Sequence, residues 1–321
     1  MTLSTSIDGG LAFLRAVQTE SGYWSDWQLP PGESRMWTTA YVGYRLAALP
    51  LHRQHQVKEL ISRANAWLSA AELPGGGWGY SDPTGADADS TALAMLSLGF
   101  HGADVGDTSL HRLCRYQNPD GGFSTYAHES SYGAWIESHA EVSAAALLAL
   151  ISAVSPPADR IARGLRYAHG VRRADGLWNS YWWTSCLYAT EAMLSFFKAA
   201  NEDVAHSPLM DALQAVSTST AFDSALLLLC LAQIERGHEQ FAHDLARSLA
   251  ADQLPDGSWP NAPILRLTDR RVSEPWSVEY AGPLFADPQR VFTTATVVSA
   301  LATCEATTGS IPSMNVLRDQ Q

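Results

Sequence analysis

The chain has 321 residues, 46% of them apolar and 17% charged, and a net charge of −12. That composition supports a large core, and the acidic balance, with Lys58 and Lys198 as the only lysines, argues against a nucleic-acid partner. No run of about 18 apolar residues is present to span a bilayer. Met1–Leu11 lacks the basic start and apolar stretch of a secretion signal, so the expectation is a cytoplasmic protein, with peripheral attachment to a membrane left open.

Two repeating phrases organise the chain. The first is a turn built from glycine and an aromatic residue. It runs from Gln18 through Gly22 to Trp24, then from Pro74 through Gly77 to Trp78, then from Gln117 through Asp120 and Gly121 to Phe123. It returns at Asp175-Gly176-Leu177-Trp178 and from Gln253 through Asp256 and Gly257 to Trp259. Glycine can take positive φ and end the preceding helix. The second phrase, Ser or Thr beside Ala, opens an apolar run: Thr38-Thr39-Ala40, Ser90-Thr91-Ala92, Val142-Ser143-Ala144, Tyr188-Ala189-Thr190, Asp223-Ser224-Ala225 and Thr293-Thr294-Ala295. The runs Thr91–Leu98, Ala144–Leu150 and Ala225–Ala232 are apolar nearly all round, which marks helices buried on most sides.

More polar helices, such as His55–Leu68 and Phe241–Ala250, precede most of these runs. The predicted fold is therefore all-α: one (α/α)6 barrel over residues 1–321, with apolar helices inside and amphipathic helices outside. The fifth unit lacks the glycine–aromatic turn, and its outer helix near Leu209–Val216 leads almost directly into Asp223. Strand signals are poor. Residues 260–289 are rich in proline and aperiodic, and Trp276, Tyr280 and Phe285 suit them to a long loop or lid. Cys114, Cys186, Cys230 and Cys304 are far apart and read as reduced thiols. His52, His55, His238 and His243 read as solvent-facing residues of outer helices.

The turn Gln253-Leu-Pro-Asp-Gly-Ser-Trp259 resembles the QW repeat of squalene–hopene cyclases and their relatives, and the likeness runs along nearly the whole chain. Asp87-Ala-Asp-Ser-Thr-Ala92 resembles the DxDD(T/S)A motif of class II terpene cyclases, and Trp182–Thr190 is similar to the aromatic segment that lines their pocket. The resemblance implies that the middle acid, Asp89, protonates a double bond or epoxide. The sequence departs from the pattern at Ser90, where the family has its last acid. It also lacks the second helical domain that such enzymes insert near the start of this barrel. The expectation is a pocket closed by residues 260–289, by a second copy of the chain as a homodimer, or by a partner protein.

The chemistry of the residues themselves leaves choices open. Asp87 and Asp89 fall at the start of a buried helix, where Asp is a good N-cap. Two such acids can also share one proton, with Asp87 charged and Asp89 protonated, because burial and a like charge raise a carboxyl pKa while the helix N-terminus opposes. His139 and Glu141 hold the matching places one repeat later. They suit a hydrogen bond to the acid, its reprotonation, a terminal base, or a helix cap. Asp223 has the same ambiguity. Cation intermediates need a dry cavity and aromatic faces, for which Trp37, Tyr41, Trp182, Trp183, Tyr188, Phe222, Trp276 and Phe292 are candidates. Trp24, Trp78 and Trp259 fit turn positions better. Arg35, Arg266, Arg270, Arg271 and Arg290 fall in loops on the face of Asp89 and suit either a diphosphate or neighbouring carboxylates.

The leading expectation is a class II cyclase of a linear polyprenyl substrate that needs no cofactor, Mg²⁺ entering only if the substrate is a diphosphate. No DDxxD run, zinc-ligand pattern or Walker loop is present. A carbohydrate-active (α/α)6 enzyme and a non-catalytic isoprenoid-binding subunit are the alternatives.

Overall fold

The computed structural model describes residues 2–99, 106–127, 130–204, 206–234 and 238–309. Six inner helices alternate with six outer ones. The inner set is α2 (Arg35–Ala47), α4 (Ala88–Gly99), α6 (Ala140–Ile151), α8 (Cys186–Ala199), α10 (Ala221–Leu231) and α12 (Val291–Gly309). The outer set is α1 (Leu3–Val17), α3 (Gln54–Ala70), α5 (Asp107–Cys114), α7 (Ala158–Gly170), α9 (His206–Ala215) and α11 (Glu239–Ala251). Each inner helix packs on the next in chain order, and α12 packs back on α2 to close the ring. The (α/α)6 barrel expected from the repeats is the architecture observed. The inner helices are buried nearly all round, α4 from Ser90 through Leu98 and α10 from Ala225 through Leu231, as their uninterrupted apolar runs require.

Both repeating phrases have a hydrogen-bonding reason. At each glycine–aromatic turn the ring residue's backbone N–H donates to the hydroxyl near the start of the following inner helix. The pairs are Trp24 with Thr39 (2.9 Å), Trp78 with Thr91 (3.1 Å), Phe123 with Ser143 (2.7 Å), Trp178 with Thr190 (3.1 Å) and Trp259 with Thr294 (3.4 Å). The four turn indoles donate in turn to the carbonyls of Leu14, Leu68, Ala168 and Leu249, ten residues back on the outer helix. The tryptophan thus ties its own outer helix to the next inner one. These rings are fully buried, so their N–H groups would cost about 1–3 kcal/mol each if left unpaired.

The turn glutamines carry the tie to the following unit. Gln18 donates to the Leu60 carbonyl, Gln117 to Arg160 and Gln253 to Ser6. The last of these joins the final turn to the first helix and so closes the outer ring. Gly257 takes φ +89 there, and a Cβ would lie 2.3 Å from the Gly9 carbonyl oxygen. The fifth unit, without such a turn, starts α10 on a different device: Thr220 caps the helix by accepting from the Asp223 N–H at 3.0 Å.

The segment 260–289 differs from the aperiodic loop expected. Strands β3 (Pro263–Arg266) and β4 (Leu284–Ala286) pair antiparallel within it, and a smaller hairpin, β1 (Gln28–Leu29) with β2 (Gly32–Glu33), precedes α2. β3 also lies along residues 182–184: the Arg266 N–H donates to the Trp182 carbonyl (2.7 Å) and the Thr184 N–H to that of Ile264 (3.0 Å). These backbone pairings satisfy a stretch whose side chains give no strand-like alternation. The far end is held by two buried acids. Asp26 accepts from the backbone of Gln289 and Phe292, and Asp287 from Ala262 and Thr293. His238, expected at the surface, is buried at the start of α11. The four cysteines form no disulfide among the described residues.

The turn bond yields a direct test. Thr39 accepts from the Trp24 N–H and donates to the Trp24 carbonyl. Thr39→Val keeps the shape and removes both bonds, so urea unfolding should report a loss of about 1–3 kcal/mol. An unchanged midpoint would show that the turn does not depend on the hydroxyl.

Candidate active site

The turn bond fixes the height of each inner helix in the barrel, and with it one layer of side chains. Counting back two residues from the hydroxyls of Thr39, Thr91, Ser143, Thr190 and Thr294 gives Trp37, Asp89, Glu141, Tyr188 and Phe292. The same step from Ser224 gives Phe222. Each inner helix therefore contributes one residue near its N-terminus to a common ring. Four of the six are aromatic or, with Tyr188 and Trp37, carry a polar edge; the other two are adjacent acids on α4 and α6.

The aromatic members gather into one cluster. The Trp183 ring stacks on Tyr188 with centroids 4.0 Å apart and lies 5.3 Å from Phe222 and 5.1 Å from Phe292. Phe292 stacks on Tyr41 at 3.6 Å and sits 5.3 Å from Trp37. Trp27 completes the group, 4.9 Å from Phe292 and 5.2 Å from Trp37. Tyr80 packs on Trp37 at 5.8 Å. Six of the rings expected in the pocket, Trp37, Tyr41, Trp183, Tyr188, Phe222 and Phe292, thus meet in the barrel mouth.

Asp89 faces this cluster. The Trp37 indole N–H donates to its Oδ2 at 2.6 Å, and no hydrogen bond engages Oδ1 among the described residues. Burial raises the carboxyl to about 6, and the Trp37 bond opposes the rise. Asp87 behaves differently. It is 3% exposed and turns back on its own helix, accepting the Ser90 N–H at 2.7 Å and the Ser90 hydroxyl at 2.8 Å. This is N-capping. Burial pushes Asp87 up to about 7, with the Ser90 N–H pulling down and the Asp89 charge pushing further up. No hydrogen bond joins the two carboxyls, so the shared proton expected from the sequence is not what the geometry offers. Ser90 instead satisfies Asp87 and leaves Asp89 to the pocket.

Glu141 is 2% exposed, and its Oε1 accepts the backbone N–H groups of Tyr181 and Trp182, each at 2.7 Å. Burial raises it to about 7 against those two bonds, and the charge of Asp89 adds to the rise. Burial, with the Asp89 charge adding to it, pushes the Tyr188 phenol up. His139 does not reach the acids by a hydrogen bond. Its ring stacks on Tyr181 at 3.7 Å, and burial pulls it down to about 3. It is neutral at pH 7 and does not fit the reprotonating role. Asp223 is buried at the start of α10, its Oδ1 without a hydrogen-bond partner among the described residues, and burial raises its pKa.

The remaining expectations sort by contact. Trp182 is half-buried and donates to the Thr125 hydroxyl at 2.8 Å, beside Trp135 rather than in the main cluster. Trp276 is 49% exposed and stacks on none of the described rings; its strand-flanking segment projects outward. Four of the five arginines are already engaged. Arg35 pairs with Glu33 and Asp82, Arg271 with Asp269 and Arg290 with Asp256, while Arg270 donates to the Ser131 carbonyl. Arg266, like Arg270, makes no carboxylate contact among the described residues; it is half-buried and reaches the Tyr181 carbonyl at 3.5 Å.

Several residues were not anticipated. Trp27, Tyr126 and Tyr181 each stand three residues after a turn aromatic, a regularity visible once the repeat is carried past the turn. Lower in the barrel, Arg45 of α2 and Glu191 of α8 form a buried bidentate pair at 3.0 and 2.8 Å. Between this pair and the acid layer runs a cavity lined by Tyr41, Tyr44, Leu93, Ala144, Leu148 and Tyr188. Among the described residues no three His, Cys, Asp or Glu side chains gather around one metal position, and no helix is long and apolar enough to cross a membrane.

Comparison with known proteins agrees with this architecture. No protein-family profile matches the chain. A squalene-hopene cyclase of Schizosaccharomyces japonicus is 24% identical over 204 residues, which is 52% of this chain and 31% of that enzyme, so the match spans less than a third of the relative's length. The type II terpene cyclase MstE from Scytonema, in complex with its product merosterolic acid A, superposes with a TM-score of 0.82 at 26% identity, covering 94% of this chain and 96% of that one. The same enzyme is known with its substrate geranylgeranyl dihydroxybenzoate, at 25% identity and a TM-score of 0.81 over 95% and 97% of the two chains. An unsaturated glucuronyl hydrolase specific for heparin shares the barrel alone, at 14% identity and a TM-score of 0.56 over 96% and 98%. The fold is thus of the class II terpene cyclase type.

Raised carboxyls make stability depend on pH with a definite sign. An Asp with a pKa near 4 unfolded and about 6 folded holds its proton more tightly when folded. Its contribution is complete below about pH 4 and is lost as pH climbs through 6. Asp89→Asn removes that loss. Urea unfolding should show the variant gaining on wild type from pH 4 to pH 7, by on the order of 2 kcal/mol; a constant difference would mean that Asp89 is not raised.

Proposed function

We propose that the chain is a class II terpene cyclase, which closes a linear polyprenyl substrate into rings after protonation by Asp89. The observation that carries this reading is the position of the Asp89 carboxyl: it faces a wall of packed aromatic rings, bonded on one oxygen only, in a barrel of the type II terpene cyclase kind.

The reaction follows from the groups at hand. Protonation of an alkene requires an acid that keeps its proton at neutral pH and has no better acceptor nearby. Burial works toward the first condition, lifting the carboxyl to about 6 so that a fraction of the molecules carries the proton at neutral pH. The second comes from Oδ1, which accepts no hydrogen bond among the described residues while Oδ2 accepts from Trp37. As the proton moves to carbon, the new carboxylate is stabilised by the same Trp37 N–H and by the N-terminus of α4, where Asp89 is the second residue. Asp87 acts through Ser90 to hold that helix start. The cation meets the faces of Trp183, Tyr188, Phe222 and Phe292, which attract positive charge. Neighbouring double bonds then attack in sequence, with each new ring moving the cation along the chain.

The sugar-hydrolase reading finds less support. Glycosidases set two carboxyl groups across a polar subsite, whereas the space next to Asp89 is aromatic and apolar. The binding-subunit reading predicts bound isoprenoid without conversion.

Two measurements test the proposal. Wild type and Asp89→Asn are incubated with farnesyl diphosphate, geranylgeranyl diphosphate and squalene, with and without Mg²⁺, and products are separated by gas chromatography–mass spectrometry. Wild type should form a cyclic product, and the variant should lose at least about 100-fold in rate; equal turnover by both would rule out Asp89 as the acid. Trp37→Phe removes the donor that favours the anion. The alkaline limb of the pH–rate profile should move up by about one unit while the maximal rate falls, and an unmoved limb would separate Trp37 from the acid.

A further inference from the structure

Glu141 has features that a structural role does not require. It repeats on α6 the place of Asp89 on α4, 52 residues earlier (141 − 89). Its Oε1 is fully occupied by the Tyr181 and Trp182 N–H groups. Its Oε2 is buried with no partner among the described residues, and the side chain lines a small cavity below the acid layer, with Tyr41, Leu93, Ala144, Tyr188 and the Arg45–Glu191 pair. A helix cap or a turn anchor would need only the first oxygen. Burying the second without a partner costs free energy with no return in the resting protein.

We infer that Glu141 is the base that ends the reaction, its Oε2 taking the proton from the carbon beside the last cation. This rests on the class II cyclase reading. The step balances. The O–H bond at Asp89 breaks as a C–H bond forms at the substrate's end, and π pairs become C–C bonds as rings close. The C–H bond next to the final cation then breaks, its electron pair becomes the product double bond, and the proton goes to Oε2. The substrate is isomerised without oxidation, and both carboxyls return to their starting states by exchange with solvent. Burial holds the Glu141 carboxyl near neutrality, so ionised and protonated forms are both accessible. Arg266, on β3, is near enough for the Glu141 charge to be felt by its guanidinium; it is the cation that favours the ionised form. The placement of acid and base on adjacent helices of one layer fits a cation that ends close to where it began, and hence a compact product with few rings.

Glu141→Gln isolates the base. The amide oxygen can still accept from Tyr181 and Trp182, while Nε2 in place of Oε2 cannot take a proton. In turnover the variant should shift its products from the wild-type alkene to other alkene isomers or to alcohols formed by water capture. The wild-type product ratio from Glu141→Gln, with wild type active, would overturn this inference and leave the cyclase reading standing. Absence of any cyclic product from wild type would instead remove the reading beneath it. A binding measurement decides the charge without turnover. N,N-Dimethyldodecylamine, a cationic chain, and dodecanol, a neutral one, are titrated by calorimetry into wild type and Glu141→Gln. Loss of at least about tenfold in amine affinity, with dodecanol affinity kept, is expected. Unchanged amine affinity, or an equal loss for both ligands, would overturn the inference.

Discussion

A buried backbone N–H must find an acceptor, and in five of the six units of this barrel the N–H of the turn aromatic finds the hydroxyl of the next inner helix. Much else depends on that bond. It fixes how far each inner helix rises toward the barrel mouth, so the residue two places before the hydroxyl arrives at the same height in every unit. Four of those residues can be aromatic without cost, since they pack on each other. The other two, Asp89 and Glu141, inherit burial from the layer they occupy. Their raised pKa values follow from the register of the helices as much as from their own neighbours.

The electrostatics of the layer rest on opposing terms of similar size. A helix N-terminus favours a carboxylate, and desolvation favours the acid. Asp87 and Asp89 meet both, two residues apart, yet end in different states of engagement. Asp87 has both oxygens on Ser90 and serves its helix. Asp89 has a single indole N–H and an open oxygen toward the rings. One hydroxyl makes the distinction: Ser90 gives Asp87 a local partner, and Asp89 is left to the Trp37 indole at the ring cluster. The serine stands where the related motif carries a third acid. It thus keeps a hydrogen-bonding side chain at the place and removes a charge that would raise Asp89 further.

The sequence was most informative where local chemistry repeats. Glycine with positive φ, a ring and a hydroxyl recur at regular spacing, and each has a single structural use, so the barrel and the residues at its inner-helix openings were legible. The same repeat contained more than was drawn from it: the third residue after a turn gives Trp27, Tyr126 and Tyr181. What the sequence could not convey was direction. Asp87 and Asp89 sit alike in sequence but diverge by side-chain rotation. His139 matches the acids in spacing, yet stacks on Tyr181 and is neutral. The loop arginines all fall on the correct face, but Arg271 is taken by its sequence neighbour Asp269, and Arg35 and Arg290 by Asp82 and Asp256, which only folding brings within reach. The strand pairing of β3 along residues 182–184 is a backbone event, and its side chains leave no periodic trace.

The central claim is that a proton from the protein starts the reaction. Turnover in deuterated water tests it most directly, because a proton delivered by an exchangeable carboxyl leaves a mark on carbon. The account predicts one deuterium per cyclic product, in the ring methylene beside the gem-dimethyl carbon where ring closure begins, and a prenyl head group that remains attached. A cyclic product without deuterium, formed with release of diphosphate, would contradict it and place the start of the reaction at the other end of the substrate.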